Sequence, residues 1–557
     1  MDAGALTPRE RQAFVLAALA VAVTRFLAIS KTLWDWDEAL FALAVRDYDV
    51  TRYHPQPPGF PLFIGAAKLL VQLAHVDGFR ALQTLTVLSS LFVFPAAFLL
   101  ARALRMPFFA SMAAALLLAF APNVWFYGGT AFSDVPSMVL VLFACALLLR
   151  GSTLGGATLL GIAAAIRPQS VLIAFVPMLL AFRTRRRTAL QGAAIVAAIV
   201  IVSYGAAAYA SGGWDAYRAV LARHEQYIRG VDSFLSPIRP SLLRVADDFF
   251  FWPYRAPLLN VAIVALALAG LTRRRAWLAV AIFAPFALFA WLYLDFHSVS
   301  RFSIGYAPLY ALLAAEGIDL TRRARGFVLA ALVGYAVVLM MPALAVVHRT
   351  PSPPVAAMTF VRARASRASS VLLVDERLAA HAELLLADYD RELVALAATA
   401  RPPATMHARA DVLVVREDAA AGGVAFMRAR APLASLVRPR YFETSVANAR
   451  RITFGDGWYG EEGAPRAPWR WMGRASRLEI PAGASRIDIR FAVPLPTTIV
   501  IRADDRIIDH ITTTPATVER TWHVANARTL TIETSAIAHG PHDPRELGLR
   551  LDELEAQ

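Results

Sequence analysis

The chain has 557 residues, 57% hydrophobic and 18% charged, with a mean hydropathy of +0.49. A soluble domain is about 25% charged, so these values, with the apolar residues falling in long blocks, exclude a purely soluble protein. The formal net charge is +14, yet the basic runs lie between apolar blocks rather than on one soluble face, which speaks against a nucleic-acid partner. Only Lys31 and Lys68 among the 56 basic residues are lysine, a bias of the whole chain that marks no site. The single cysteine, Cys145, sits inside an apolar block and leaves no disulfide framework or cysteine metal site.

In chain order, the run 13–29 is read as a retained first span, because Lys31-Thr-Leu-Trp34 follows it and no small-residue cleavage pattern does. Further stretches with the length and apolarity of spans are 80–101, 107–126, 135–149, 154–166, 169–182, 188–210, 256–271, 276–293, 304–320 and 327–347. Arginines in the short connections set the orientation. Arg9 and Arg11, Arg102 and Arg105, Arg150, Arg183 with Arg185–Arg187, Arg273–Arg275, and Arg322, Arg323 and Arg325 all belong in the cytoplasm by the positive-inside bias. Keeping Arg150 and Arg183 on one side makes 154–182 two short spans meeting at Arg167-Pro168. Keeping Arg102 inside makes the apolar run 59–75 embedded or interfacial, without crossing. The expectation is about eleven crossings of a bacterial inner (plasma) membrane, with the N-terminus cytoplasmic and the C-terminal part periplasmic or extracellular.

Three long segments then lie outside: 30–79, 211–255 and everything beyond about 348. Thr350-Pro-Ser-Pro-Pro354 reads as a linker. Val371–Asp375 and Asp411–Val415 are expected to be short buried strands flanking a helical stretch, so that 350–440 is a linker with a small α/β unit. Over 441–557, period-two runs such as Arg486–Phe491, Thr498–Ile501 and Leu530–Glu533, separated by turn residues, predict an all-β sandwich. The fold class expected is a polytopic α-helical membrane domain over 1–349, followed by these two units.

The first outside loop is the most informative: Trp34-Asp35-Trp36-Asp37-Glu38-Ala39, continuing to His54-Pro55-Gln56-Pro57-Pro58-Gly59-Phe60-Pro61. Carboxylates beside hydrocarbon are costly and as a rule functional. A partly desolvated Asp takes a proton from a hydroxyl or helps to hold a metal ion. The same pair also fits a solvated loop beside belt tryptophans.

An acidic pair just after the first span, followed by a His/Pro-rich element that opens an apolar run, resembles the GT-C glycosyltransferases. Within them it is most similar to the protein O-mannosyltransferase and lipid A aminoarabinose transferase branch. The resemblance covers roughly residues 10–350 and takes in Phe132-Ser133-Asp134-Val135-Pro136, Arg167-Pro168 and Arg301-Phe302. One departure is Gln56, inserted where the family has a plain His-Pro-Pro.

The resemblance implies a GT-C-like fold with added interfacial helices. It implies a hexosyl- or pentosyltransferase that takes a sugar from a polyprenyl-phosphate donor and passes it, with inversion, to a glycan, lipid or protein acceptor on the outer face. Asp37 is then the base, with Glu38 orienting it or binding acceptor. Asp134 and His54 bind acceptor or a cation, and Arg301, Arg167 and His297 neutralise the developing phosphate charge. No cofactor is assigned; a divalent metal ion at Asp37 and Asp134 is the one the acids would accommodate. Each residue also has a plain structural role open to it: a snorkelling arginine for Arg301, a helix-break cap for Arg167, and a helix N-cap for Asp134.

Other residues rank lower. Asp35, Asp47 and Asp49 read as surface acids; His224, Glu225 and Tyr227 line an acceptor path or one face of an interfacial helix; Trp458, Tyr459, Trp469 and Trp471 form sandwich core or a sugar platform. No Gly-rich phosphate loop follows a strand, so a nucleotide-sugar donor has no support. Two readings from other classes stand beside the transferase. One is a transporter or flippase for lipid-linked glycans, which would place ionisable groups near mid-bilayer; the other is a membrane-anchored glycan-binding scaffold.

Overall fold

Thr7 and Glu10 close a capping box that starts the first helix, Pro8–Arg25, with Pro8 in its first turn where a missing N–H costs nothing. In the computed structural model each stretch read as a span is helical. The structure describes residues 6–254 and 256–367 and, over 370–556, all but 395–403, 406–410, 417–422, 429–435, 437–441, 449, 465–466, 481–483, 525–526 and 541–542. Among the described residues five helical segments are long and apolar enough to cross a membrane: Pro8–Ala28, Gly78–Ala103, Arg186–Ala210, Ala276–Tyr293 and Arg322–Arg364. Shorter apolar helices include Pro61–Ala74, Phe108–Ala119, Thr153–Ile166 and Pro257–Gly270.

Two breaks have local causes. Arg167 is extended (φ −144°, ψ 110°), as the residue before a proline prefers, and it ends the helix Thr153–Ile166; a turn at Pro168–Ser170 then opens Val171–Thr184. The stretch 107–126 is not continuous. Phe108–Ala119 stops, and Pro122 starts a separate short helix, Pro122–Tyr127, which leaves a corner at 120–121. Elsewhere glycines set helix spacing. A Cβ on Gly270 would stand 2.0 Å from the Leu313 carbonyl oxygen, and one on Gly317 would stand 2.0 Å from that of Leu266. Pro257–Gly270 and Ala307–Leu320 therefore pack backbone to backbone, as small residues allow between membrane helices. At the same end of this pair, Glu316 is buried but held by Arg275, whose Nε and Nη2 donate at 2.5 and 2.8 Å.

The chain divides into two compact units: Met1–Val355 with Arg428–Phe442, and Ala356–Met427 with Glu443–Gln557. The boundaries expected at 349/350 and 440/441 are thereby displaced. Strand Glu443–Asn448 is the reason on the second count, because it pairs antiparallel with Asp411–Arg416 and so completes the α/β sheet. A period-two run does not show which sheet it will join. That sheet runs Asp390–Val394, Ser370–Asp375, Asp411–Arg416, Glu443–Asn448, Val424–Met427, its first three strands parallel.

The β-sandwich has one sheet centred on Arg486–Val493 and Leu549–Ala556 and another on Thr497–Ala503 and Thr529–Thr534. Ile487, Ile489, Phe491 and Val493 alternate inward to meet Ile499, Ile501, Leu530 and Ile532 in the core. Trp458 packs against this core beside Phe454, whereas Trp469 and Trp471 are half-buried on the face opposite Met472 of the same strand.

Candidate active site

Asp35 starts the helix Trp36–Arg46 as its N-cap: it accepts from the Asp37 N–H at 3.0 Å, and Glu38 closes a capping box with it. Glu38 reaches further than a cap. Its Oε2 accepts from the N–H groups of Trp34 and Asp35 at 2.7 and 3.0 Å, and its Oε1 from Ala131 at 3.0 Å. The side chain is 1% exposed, and burial pushes its pKa up to about 7 against the lowering effect of the three N–H donors. Glu38 thus ties the start of this helix to the 128–133 turn that precedes Asp134. The sequence pattern Asp-x-x-Glu was the available signal for this, and the surface role expected for Asp35 is corrected: it is a helix cap.

Fixing that turn positions the next helix, Asp134–Arg150. Ser133 is its N-cap residue, and the Asp134 carboxylate caps nothing; it points to two arginines. Arg167 Nη1 lies 2.8 Å and Arg301 Nε 3.2 Å from Asp134 Oδ2. Arg301 Nη1 donates to Asp37 Oδ2. Arg167 Nη1 also donates to Ser133 Oγ at 3.2 Å, and the Gln169 amide, with its oxygen turned to the guanidinium, accepts from Arg167 Nε and Nη2 at 3.1 and 3.0 Å. The chain of contacts runs Asp37, Arg301, Asp134, Arg167, two carboxylates and two guanidiniums brought together from four distant places in the sequence.

Aromatic rings support both cations, a feature the sequence did not mark. The Arg301 guanidinium lies 4.1 Å from the Phe132 ring centroid, and that of Arg167 lies 5.7 Å from Phe60. Phe41 touches both rings, at 4.9 Å to Phe60 and 6.3 Å to Phe132. A cation over a desolvated ring gains on the order of 2 kcal/mol. Arg301 itself is carried by a short turn, Val299–Phe302, pinned where Asn123 Nδ2 donates to the Ser300 carbonyl oxygen at 3.0 Å. Burial disfavours its charge, but the carboxylates of Asp134, Asp37 and Asp35 outweigh that and hold its pKa above the usual arginine value. Exposure separates the four: the side chains of Arg301, Asp134 and Arg167 are 4%, 6% and 9% exposed, and that of Asp37 is 23%. Asp37 is the member that reaches outward.

The other candidates lie differently. His54 is buried, and its backbone pairs with Asp49 through bonds of 2.7 and 2.9 Å. The Pro57-Pro58-Gly59 turn beyond it is clamped by Tyr217 Oη on the Pro58 carbonyl oxygen at 2.7 Å and Tyr48 Oη on that of Gly59 at 2.9 Å. Its visible work is to deliver Phe60 beneath Arg167. His297 is exposed, with its ring against Phe296 at 4.0 Å, outside the ion network.

Among the described residues no three His, Cys, Asp or Glu side chains are grouped to hold a metal ion. The carboxylates of Asp37 and Asp134 both face guanidiniums, which supply the positive charge a divalent ion would bring. This donor set does not fit such an ion.

No known family profile and no curated protein matches the chain. Among solved structures it is similar to ArnT from Cupriavidus metallidurans in the apo state (TM-score 0.47, 13% identity, 78% of this chain and 98% of that one). It is similar to the same protein bound to undecaprenyl phosphate (TM-score 0.46, 12% identity, 78% and 97%). A third likeness is to arabinosyltransferase EmbB from Mycobacterium smegmatis (TM-score 0.42, 13% identity, 99% of this chain and 65% of that one).

Proposed function

We propose that the protein is an integral membrane glycosyltransferase that moves a sugar from a polyprenyl-phosphate carrier to an acceptor on the outer face, with inversion. The observation that carries this reading is the convergence of Asp37, Asp134, Arg301 and Arg167, residues singled out by their likeness to GT-C motifs, into one paired network in which Asp37 alone faces outward.

The chemistry follows from that arrangement. An acceptor hydroxyl oxygen attacks the anomeric carbon of the donor sugar and its proton passes to the Asp37 carboxylate. The bond from that carbon to the phosphate oxygen breaks, and its electron pair leaves with the lipid phosphate. One displacement inverts the anomeric centre. Preorganised cations stabilise the charge growing on the phosphate, the task of Arg301 with Arg167 behind it. In the resting network Arg301 divides its charge between Asp37 and Asp134. A donor phosphate arriving at Arg301 draws on the same charge, so Asp37 becomes more basic when the donor is bound. Glu38 acts as a positioning residue through its three backbone N–H partners.

The test is an assay of the purified full chain with a panel of undecaprenyl-phosphate sugars, detecting release of the free lipid phosphate. Turnover by the wild type, lost in Arg301→Ala through weakened use of the lipid donor, supports the reading. Movement of the lipid-linked sugar across a vesicle membrane without phosphate release would replace it with a transporter.

A further inference from the structure

The helix Trp214–Gly230, in the second long loop, takes no part in the mechanism above. Tyr217, Val220, Leu221 and His224 recur along it at three- and four-residue spacing and share one face. That face packs on the first outside loop: Tyr217 and Val220 are buried with Val50, and Tyr217 reaches the Pro58 carbonyl oxygen. One turn further, the His224 ring meets Tyr53 edge to face at 6.3 Å and lies parallel to Tyr227 at 6.3 Å. Both tyrosines are exposed, so the imidazole sits between two phenol rings that face solvent.

His224 Nδ1 is buried and has no hydrogen-bond partner among the described residues. An orphaned buried nitrogen costs about 1–3 kcal/mol, a cost that a bound ligand group removes. Burial also pushes the imidazole pKa below its usual value, while the Asp37 carboxylate acts on the ring in the opposite sense.

A neutral imidazole donates through one nitrogen and accepts through the other, which suits a hydroxyl; the phosphate already has the arginines. We propose that His224, flanked by Tyr53 and Tyr227, binds a carbohydrate acceptor: one hydroxyl hydrogen-bonds His224 while a second is presented to Asp37 for attack. The acceptor class follows from the pairing of sites, since two hydroxyls on one small molecule are needed and the flanking rings supply stacking faces. This inference rests on the transferase reading and adds the acceptor to it.

The experiment uses the full chain in detergent with undecaprenyl-phosphate sugars as donors and methyl glycosides, such as methyl α-D-mannopyranoside, as free acceptors. In His224→Ala the acceptor KM should rise about tenfold, the loss of one good hydrogen bond, while the donor KM stays within about twofold. His224→Gln, which keeps a planar hydrogen-bonding group, should recover part of that loss and separates a lost contact from a folding defect. An active wild type with an unchanged acceptor KM in His224→Ala, or with the donor KM shifted instead, overturns this inference alone. A wild type that turns over a donor but accepts no methyl glycoside overturns the carbohydrate assignment. A wild type inert toward every donor overturns the transferase reading and this inference with it.

Discussion

Asp37 and Asp134 touch the same arginine, yet removing each leaves a different residue of charge behind. In Asp37→Asn, Arg301 keeps Asp134 at 3.2 Å, and the altered side chain is the most exposed of the network. The fold should survive while turnover falls by about 10²–10⁴, the usual worth of a positioned base. In Asp134→Asn, Arg167 loses the carboxylate at 2.8 Å and stays buried. An uncompensated buried charge costs on the order of 3–5 kcal/mol, so this variant should show a much lower thermal midpoint in detergent. Equal midpoints for the two variants would refute the ranking. Glu38 adds a pH dependence whose sign is unusual for a carboxylate. Burial raises its folded pKa to about 7, well above the ordinary glutamate value, so its contribution is fully present below the unfolded value and is lost as pH rises through 7. That shift corresponds to roughly 3 kcal/mol at most. The wild-type thermal midpoint should fall between pH 5 and 8. Glu38→Gln should flatten this fall, and should start lower, because one amide oxygen cannot serve the three N–H groups.

At the scale of elements, the 128–133 turn holds the site together, and Gly129 is what lets it fit. A Cβ there would stand 1.8 Å from the Ala28 carbonyl oxygen, a backbone atom that has nowhere to move. The Gly129 carbonyl oxygen accepts from Ser30 N at 3.0 Å and Gln83 Nε2 at 2.9 Å, which locks the turn to the loop after the first helix and to the helix Gly78–Ser90. Gly129→Ala should push the turn away from these partners, pulling Ala131 from Glu38 and Phe132 from Arg301. Overpacking of this kind costs about 1–3 kcal/mol, and both thermal midpoint and turnover should drop together; a variant with normal turnover would show that the turn does not position the arginine. Little of this was legible beforehand. The Arg167-Pro168 break was, because proline restricts the residue before it. Which acid meets which arginine was not: Asp37 and Arg301 are 264 positions apart, and only tertiary packing pairs them. Phe60 and Phe132 lie inside the motifs singled out in the sequence, but nothing in Gly59-Phe60-Pro61 or Ala131-Phe132-Ser133 marks a cation above either ring.

For the whole molecule, hydropathy located the helices well, because an apolar block of this length has few other folds available. It located the unit boundaries poorly, because Arg428, Leu436 and Phe442 group with the first unit and strand Glu443–Asn448 joins the α/β sheet, both of them long-range choices. Sidedness can be argued from the helices themselves. Asp134 begins a helix that ends at Arg150, a separation of about 25 Å at 1.5 Å per residue. Arg301 precedes Ala307–Leu320, and Arg322 and Arg323 follow it. The ion network therefore occupies the helix ends opposite the basic clusters. If positive-inside bias holds those clusters in the cytoplasm, the network faces out, and Arg325–Arg349, which starts among them, delivers the rest of the chain to that same outer side. Alkaline phosphatase, active only after export, should be active when fused after Gln557 and inactive when inserted at 322–324, with a cytoplasmic fluorescent reporter giving the reverse pattern. Phosphatase activity at 322–324 would invert the arrangement and put the carboxylates on the cytoplasmic face, where a polyprenyl-phosphate sugar presented from outside could not reach them.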